Sequence, residues 1–256
     1  MLIQIGSKHN LDSTKNEVNK IKNSFSDYVT LFTCERTEIY TTEKIKTSLP
    51  KKEGIEALRH LLRVCCGIDS LVIGEIEILE QVNRALKRAI REDHCSKILK
   101  EYFMFSIKSS KEVRESTNIS QSFSLEFINK VIKKHPSQPP IVVVGEGALA
   151  SKLIYHLKKM DYPNFSNFSE VYHSKDKIEE ESIILVANKK FKNQKMFRHN
   201  RSHYVYDLRH PYYQSLVKDL ELNKNIQTNK AEELIELKLE NLDEIKQPIT
   251  LQFRKR

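Results

Sequence analysis

Ile141-Val142-Val143-Val144-Gly145-Glu146-Gly147-Ala148-Leu149-Ala150 sets four β-branched residues directly before the pattern G-x-G-x-x-A. A short uninterrupted run of this kind predicts a strand buried on both faces, as in a parallel sheet. Leu153, Ile154 and Leu157 follow at amphipathic spacing and predict a helix. Between a strand and a helix the glycines acquire a physical meaning. The first makes the turn, and the second lets a pyrophosphate approach the helix N-terminus. The stretch predicts a small Rossmann-like domain, with Gly145, Glu146, Gly147, Ala148, Leu149 and Ala150 as a dinucleotide loop.

Just upstream, His135-Pro136-Ser137-Gln138-Pro139-Pro140 is a linker that no helix or central strand crosses comfortably. It suggests three regions: an N-terminal domain over 1–138, the dinucleotide domain over 139–222 and a C-terminal helical segment over 223–256. Further strands are expected at Glu170 to His173, Ser182 to Ala187 and His203 to Asp207. Tyr172-His173-Ser174-Lys175 lacks the acidic residue that would hold a free ribose 2′-hydroxyl. His173 and Lys175 tolerate a 2′-phosphate, which tilts the cofactor toward NADP. A charged helix from Asn229 to Ile245 carries Leu234, Ile235, Leu237, Leu239 and Leu242. It needs a surface to pack against, in the preceding domain or another subunit.

The first half reads as α+β, which makes the whole chain α/β. A strand at Leu2 to Gly6, a helix at Ser13 to Ser24 and a strand at Tyr28 to Phe32 lead to Thr33-Cys34-Glu35-Arg36. A thiol where a strand stops is a nucleophile if a neighbouring cation lowers its pKa. Arg36 supplies that charge, or holds a carboxylate through two parallel hydrogen bonds. A lone cysteine is more often a small buried hydrophobe. Helices follow from Glu53, from Glu75 and from Lys97 to Glu115, with Gly67 to Gly74 a bent segment between the first two.

The net charge is +9, with 39% hydrophobic and 30% charged residues, which excludes a disordered chain. Residues 84–114 hold nine basic against four acidic residues. This is either a solvated helix face or an electrostatic footprint for a polyanion such as RNA. Four cysteines without CxxC or zinc spacing imply reduced thiols and no metal site. With no charged apolar leader and no apolar run of roughly 18 residues, a cytoplasmic protein without membrane contact is expected.

Several linked motifs resemble those of glutamyl-tRNA reductases. Thr33 to Tyr40 is similar to that family's S-T-C-N-R-T-E-x-Y. His60-Leu61-Leu62-Arg63-Val64 with Gly67 to Glu75 is similar to H-L-x-R-V-x-x-G-L-D-S-x-V-x-G-E. Lys111 to Ser116 resembles K-x-V-R-x-x-T. The resemblance implies NADPH-dependent reduction of glutamyl-tRNA to glutamate-1-semialdehyde through a cysteine thioester, the first step of tetrapyrrole biosynthesis. It assigns Cys34 as nucleophile and His60 as its proton-transfer or orienting partner. Thr33, Glu35, Arg36, Ser70, Glu75, Ile76, Glu77 and Gln81 would line the glutamyl site. The implied partners are glutamyl-tRNA and the downstream glutamate-1-semialdehyde aminomutase.

The chain also departs from the pattern. Glu35 stands for Asn, Glu77 for Gln, Ile76 for Pro and Glu80 for Gly. Glu146 brings a negative charge to the phosphate loop, and Leu185-Val186-Ala187-Asn188-Lys189 replaces a Ser-Ser-Thr loop. A carboxylate at 35 or 77 repels an anionic substrate unless it is protonated or turned away. The family's C-terminal dimerisation domain has no counterpart before Arg256, so a homodimer loses its usual support. Two other readings remain open: a degenerate relative that binds tRNA or a partner enzyme, and a dehydrogenase of another tetrapyrrole branch.

Overall fold

The computed structural model describes residues 1–7, 11–33, 35–168, 181–187, 203–208 and 228–241. They fall into two compact units, one of residues 1–121 with the chain beyond 224 and the other of residues 122–223. Among the described residues no helix is long and apolar enough to cross a membrane.

The first unit is built on an antiparallel sheet in the order β2-β3-β1-β4. Its strands are β1 (Ile3–Ser7), β2 (Tyr28–Phe32), β3 (Thr37–Thr41) and β4 (Lys51–Glu53). The two-residue period of a strand sorts its side chains onto two faces. Ile3, Ile5 and Ile39 join Val18 of α1 (Leu11–Lys22) in one core, with Phe25. Leu2, Val29, Leu31 and Tyr40 join a larger core on the other side. Exposed Lys51, Lys52 and Glu53 leave the β4 edge charged, which discourages pairing with another chain.

The larger core is completed by α2 (Ile55–Cys66), α3 (Glu77–Arg91) and α4 (Lys97–Thr117). On α2, Ala57, Leu58, Leu61, Leu62 and Cys65 recur at helical spacing and are fully buried. Ser96 starts α4 by accepting a hydrogen bond from the Leu99 N–H at 3.1 Å, and Asn118 ends it in the left-handed region. The C-terminal helix α7 (Thr228–Glu240) packs Ala231, Ile235 and Leu239 into the same core, against α2 and α4. Its packing partner is the first unit. The part of the expected helix beyond residue 241 lies outside the described residues.

The second unit carries a parallel sheet in the order β6-β5-β7-β8, comprising β5 (Ile141–Val144), β6 (Phe165–Phe168), β7 (Ile183–Val186) and β8 (Tyr204–Asp207). The two central strands are buried throughout, as their apolar runs require. Among the described residues two helices belong here, α5 (Phe123–Lys134) and α6 (Ala148–Lys159). Sequence patterning places the domain boundary at 138/139, whereas the structure divides the chain at Gln121/Ser122. The reason is α5, which packs on α6 and sets Phe127 edge-on to Tyr206 at 5.8 Å. His135, at the end of α5, is hydrogen-bonded to the Tyr206 hydroxyl at 2.8 Å. The proline-rich linker thus lies within this unit. The strand expected at 170–173 and the cofactor-selecting Tyr172 to Lys175 lie outside the described residues.

Candidate active site

β2 and β3 form a hairpin whose connection runs from Thr33 to Arg36. The Thr33 N–H donates to the Arg36 carbonyl at 2.9 Å. Thr33 Oγ1 accepts from the N–H groups of Glu35 and Arg36, both at 3.1 Å, so its hydroxyl ties the turn. Cys34, the expected nucleophile, lies between these bonded residues but is itself outside the described set.

Strand alternation gives Glu38 and Tyr40 the same side, and Tyr40 packs in the core shared with α2. Glu38 is 1% exposed. It accepts from the Tyr40 hydroxyl at 2.7 Å and from His60 Nε2 at 2.9 Å. Burial works to raise its pKa, but the hydrogen bond and charge of His60, the Arg36 guanidinium and the Tyr40 hydroxyl together hold it down at about 2. Glu38 is therefore a fixed carboxylate.

Arg36 is likewise 1% exposed. Its Nη2 donates to the Asp69 carbonyl at 3.0 Å, and its Nη1 lies 3.7 Å from Glu38 Oε1. Its Nε and Nη1 have no hydrogen-bond acceptor among the described residues. A buried guanidinium with donors left over is costly unless another acceptor arrives. Burial disfavours its charge, and Glu38 leads the neighbours that reverse this.

The third side of the site is the Gly67–Gly74 bend after α2. Gly67 closes α2 in the left-handed region, and its carbonyl accepts from the N–H groups of Ser70 and Gly74. Gly74 has φ +80°, and a Cβ there would sit 1.6 Å from the Ile119 carbonyl oxygen. Only glycine fits. The bend presents Asp69, whose carboxylate accepts from Arg63 Nη2 at 2.8 Å and lies 3.6 Å from His60 Nδ1. Burial raises the Asp69 pKa, and the hydrogen bond and charge of Arg63 more than offset it. Glu35 is turned onto the same bend, accepting from the Leu71 N–H at 3.0 Å. Buried Ser70 thus sits between the residue bonded to Arg36 and the residue bonded to Glu35.

The structure therefore brings Thr33, Glu35, Arg36, His60 and Ser70 together. Glu75, Ile76, Glu77 and Gln81 lie on the exit from Gly74 and the first turns of α3. Glu75 and Glu77 act electrostatically on Arg114. Arg114 corrects the expectation of a basic surface over 84–114. It is 6% exposed and donates to the carbonyls of Cys65, Gly74 and Glu75 at 2.8–3.0 Å. The arginine of the K-x-V-R-x-x-T pattern thus clamps the glycine bend. The other eight basic residues of the stretch are exposed. Sequence reasoning missed Glu38, Asp69 and Arg63 as members of the site. The signal available was strand parity for Glu38 and helical spacing from His60 for Arg63.

The loop expected to bind a dinucleotide follows β5. Gly145 has φ 147°, which favours glycine. Gly147 precedes α6 in extended conformation, and a Cβ there would meet nothing within 4 Å. The first N–H groups of α6, from Ala148 on, have no acceptor within the helix, as at any helix start, and can donate to a phosphate. This backbone fits a dinucleotide pyrophosphate. Exposed Glu146 is the unfavourable element.

Comparisons with known proteins agree with the first unit. Residues 4–117 match the family model for the glutamyl-tRNA(Glu) reductase N-terminal domain. The chain is 36% identical over 148 residues to a glutamyl-tRNA reductase of Thermus thermophilus, covering 51% of this chain and 38% of that protein. It is 33% identical over 186 residues to one of Fusobacterium nucleatum, covering 66% and 56%. The chain thus spans between about a third and somewhat over half of the length of these relatives. A solved structure, glutamyl-tRNA reductase from Methanopyrus kandleri, shares the fold with a TM-score of 0.53 at 22% identity, over 95% of this chain and 80% of that one. Residues 4–117 are thus similar to the N-terminal domain of the glutamyl-tRNA reductase family.

Proposed function

We propose that the protein reduces glutamyl-tRNA to glutamate-1-semialdehyde with NADPH, through a thioester on Cys34, at the start of tetrapyrrole formation. The observation that carries this reading is Arg36, a buried guanidinium with Nε and Nη1 lacking acceptors among the described residues. Each of these nitrogens keeps an N–H for an oxygen of an incoming glutamyl carboxylate to accept from. Glu38, Asp69 and the Thr33 turn hold Arg36 in place, so little ordering is left to do on binding.

Cys34 sulfur attacks the ester carbonyl, forming a C–S bond and breaking the C–O bond to the tRNA ribose. The thiol proton passes to the departing hydroxyl. His60, held by Glu38, would move or orient that proton. Glu35, bound to Leu71 N–H, is turned to the bend and braces it. When bound, NADPH would supply a hydride which, with one proton, takes the thioester to the aldehyde and returns Cys34 as the thiol. Gly145, Gly147 and the start of α6 would hold its pyrophosphate in a Rossmann-like unit. The aldehyde is reactive, which suits transfer to an aminomutase acting in the cytoplasm.

Charging one tRNA with glutamate or with glutamine tests the reading at Arg36. The expected result is acylation of Cys34 by the glutamyl form at least tenfold faster, about 1.4 kcal/mol. Equal rates with both would remove carboxylate recognition from the site.

A further inference from the structure

Arg59 and Arg63 lie one turn apart on α2, and Glu232 and Glu236 one turn apart on α7. Arg59 Nε and Nη2 donate to the two Glu236 oxygens at 2.7 and 2.9 Å, and Arg63 Nη1 pairs with Glu232. The later α2 residue takes the earlier α7 residue, so the helices run antiparallel. One rung leads further than the other. Arg63 Nε and Nη2 donate to Asp69 Oδ1 at 3.2 and 2.8 Å. The Arg63 fork is thus divided between Glu232 on one edge and Asp69 on the other. Asp69 in turn holds Arg36 through its carbonyl and faces His60 with its carboxylate. Arg59 pairs with Glu56 and Glu236, and none of its described bonds reaches Asp69 or Arg36.

We propose that Glu232 is a positioning residue for substrate recognition: through Arg63 it fixes Asp69, and through Asp69 the guanidinium of Arg36. The inference rests on reading Arg36 as the glutamyl clamp. An arginine with one partner swings on a flexible stem, whereas carboxylates on both edges lock its plane. The glutamyl site near the N-terminus therefore depends on a residue more than 190 positions later in the chain. That residue is carried back to the first unit by the apolar face of α7.

Glu232→Ala and Glu236→Ala each remove one rung between the same two helices, so they separate positioning from docking. Both are expected to lower the melting temperature slightly and alike, since half-exposed ion pairs contribute little to stability. Amide exchange across residues 67–74 of the full chain should quicken in Glu232→Ala and stay at the wild-type rate in Glu236→Ala. In Cys34 acylation, Glu232→Ala should raise KM for glutamyl-tRNA roughly fivefold with kcat little changed, and Glu236→Ala should leave both unchanged. Glu232→Gln, which keeps an acceptor, should recover part of the loss. Equal behaviour of the two alanine variants in exchange and KM would overturn the proposal. A wild-type chain that is not acylated at all would instead overturn the functional reading, and the exchange comparison would still decide the positioning role.

Discussion

Arg36 and Glu38 are the two residues on which the site turns, and each makes a separable prediction. Arg36→Lys keeps the charge but loses the fork, so kcat/KM for Cys34 acylation should fall about 100-fold while the fold persists. An unchanged kcat/KM would mean that the guanidinium does not meet the substrate. Glu38 has a folded-state pKa of about 2 against an ordinary value of 4.5. A carboxylate depressed on folding stabilises the protein fully above its unfolded pKa, and this is lost as pH falls through the folded one. The advantage of the wild type over Glu38→Gln in urea melts should therefore be largest near pH 6 and shrink between pH 4.5 and pH 2. A gap constant with pH would show that Glu38 is not the fixed charge described. The sequence makes Arg36 and His60 legible through their motif. It holds Glu38 in the same motif as Arg36 but hides its role, because a glutamate between threonine and isoleucine reads as solvent-facing. Only the placement of β3 between β1 and β2, with α2 above it, makes that position interior.

At the scale of elements, the glycine bend and the phosphate loop call for opposite experimental outcomes. Gly74→Ala drives a Cβ onto the Ile119 carbonyl at positive φ. It should cost at least ~3 kcal/mol by chemical denaturation, and a near-neutral result would refute the bend geometry. Gly147→Val meets no protein atom within 4 Å of its Cβ, so melting should change little. NADPH affinity, followed by nicotinamide fluorescence, should nevertheless drop more than tenfold, because the branched side chain fills the space a phosphate needs. Unchanged affinity would place the cofactor elsewhere. The long periodic helices α2, α3 and α4 and the β5 loop are readable from spacing alone. Strand β6, Phe-Ser-Asn-Phe, is not, because its two polar residues carry no strand signal. Arg114 misleads for a related reason. Its charge looks like surface until three carbonyls of the bend are found around it.

For the whole molecule, the first unit carries the buried Arg36–Glu38–His60 cluster proposed to recognise a carboxylate, and the second the glycine loop proposed to hold a phosphate. The chain visits the second unit and returns through α7 to brace the first. No local pattern in the sequence announces that return, since the apolar stripe of α7 is compatible with any partner surface. The exposed basic residues of α3 and α4 lie on this same first unit, and tRNA affinity should fall with rising salt as their counterions are released. The central claim is chemical, and it is tested most directly by incubating the purified chain with [14C]glutamyl-tRNA, with and without NADPH. Radiolabel should join the wild-type protein and be absent from Cys34→Ser, and semialdehyde should form only when NADPH is added. Label retained on Cys34→Ser, or tRNA bound tightly with neither adduct nor aldehyde, would contradict the account.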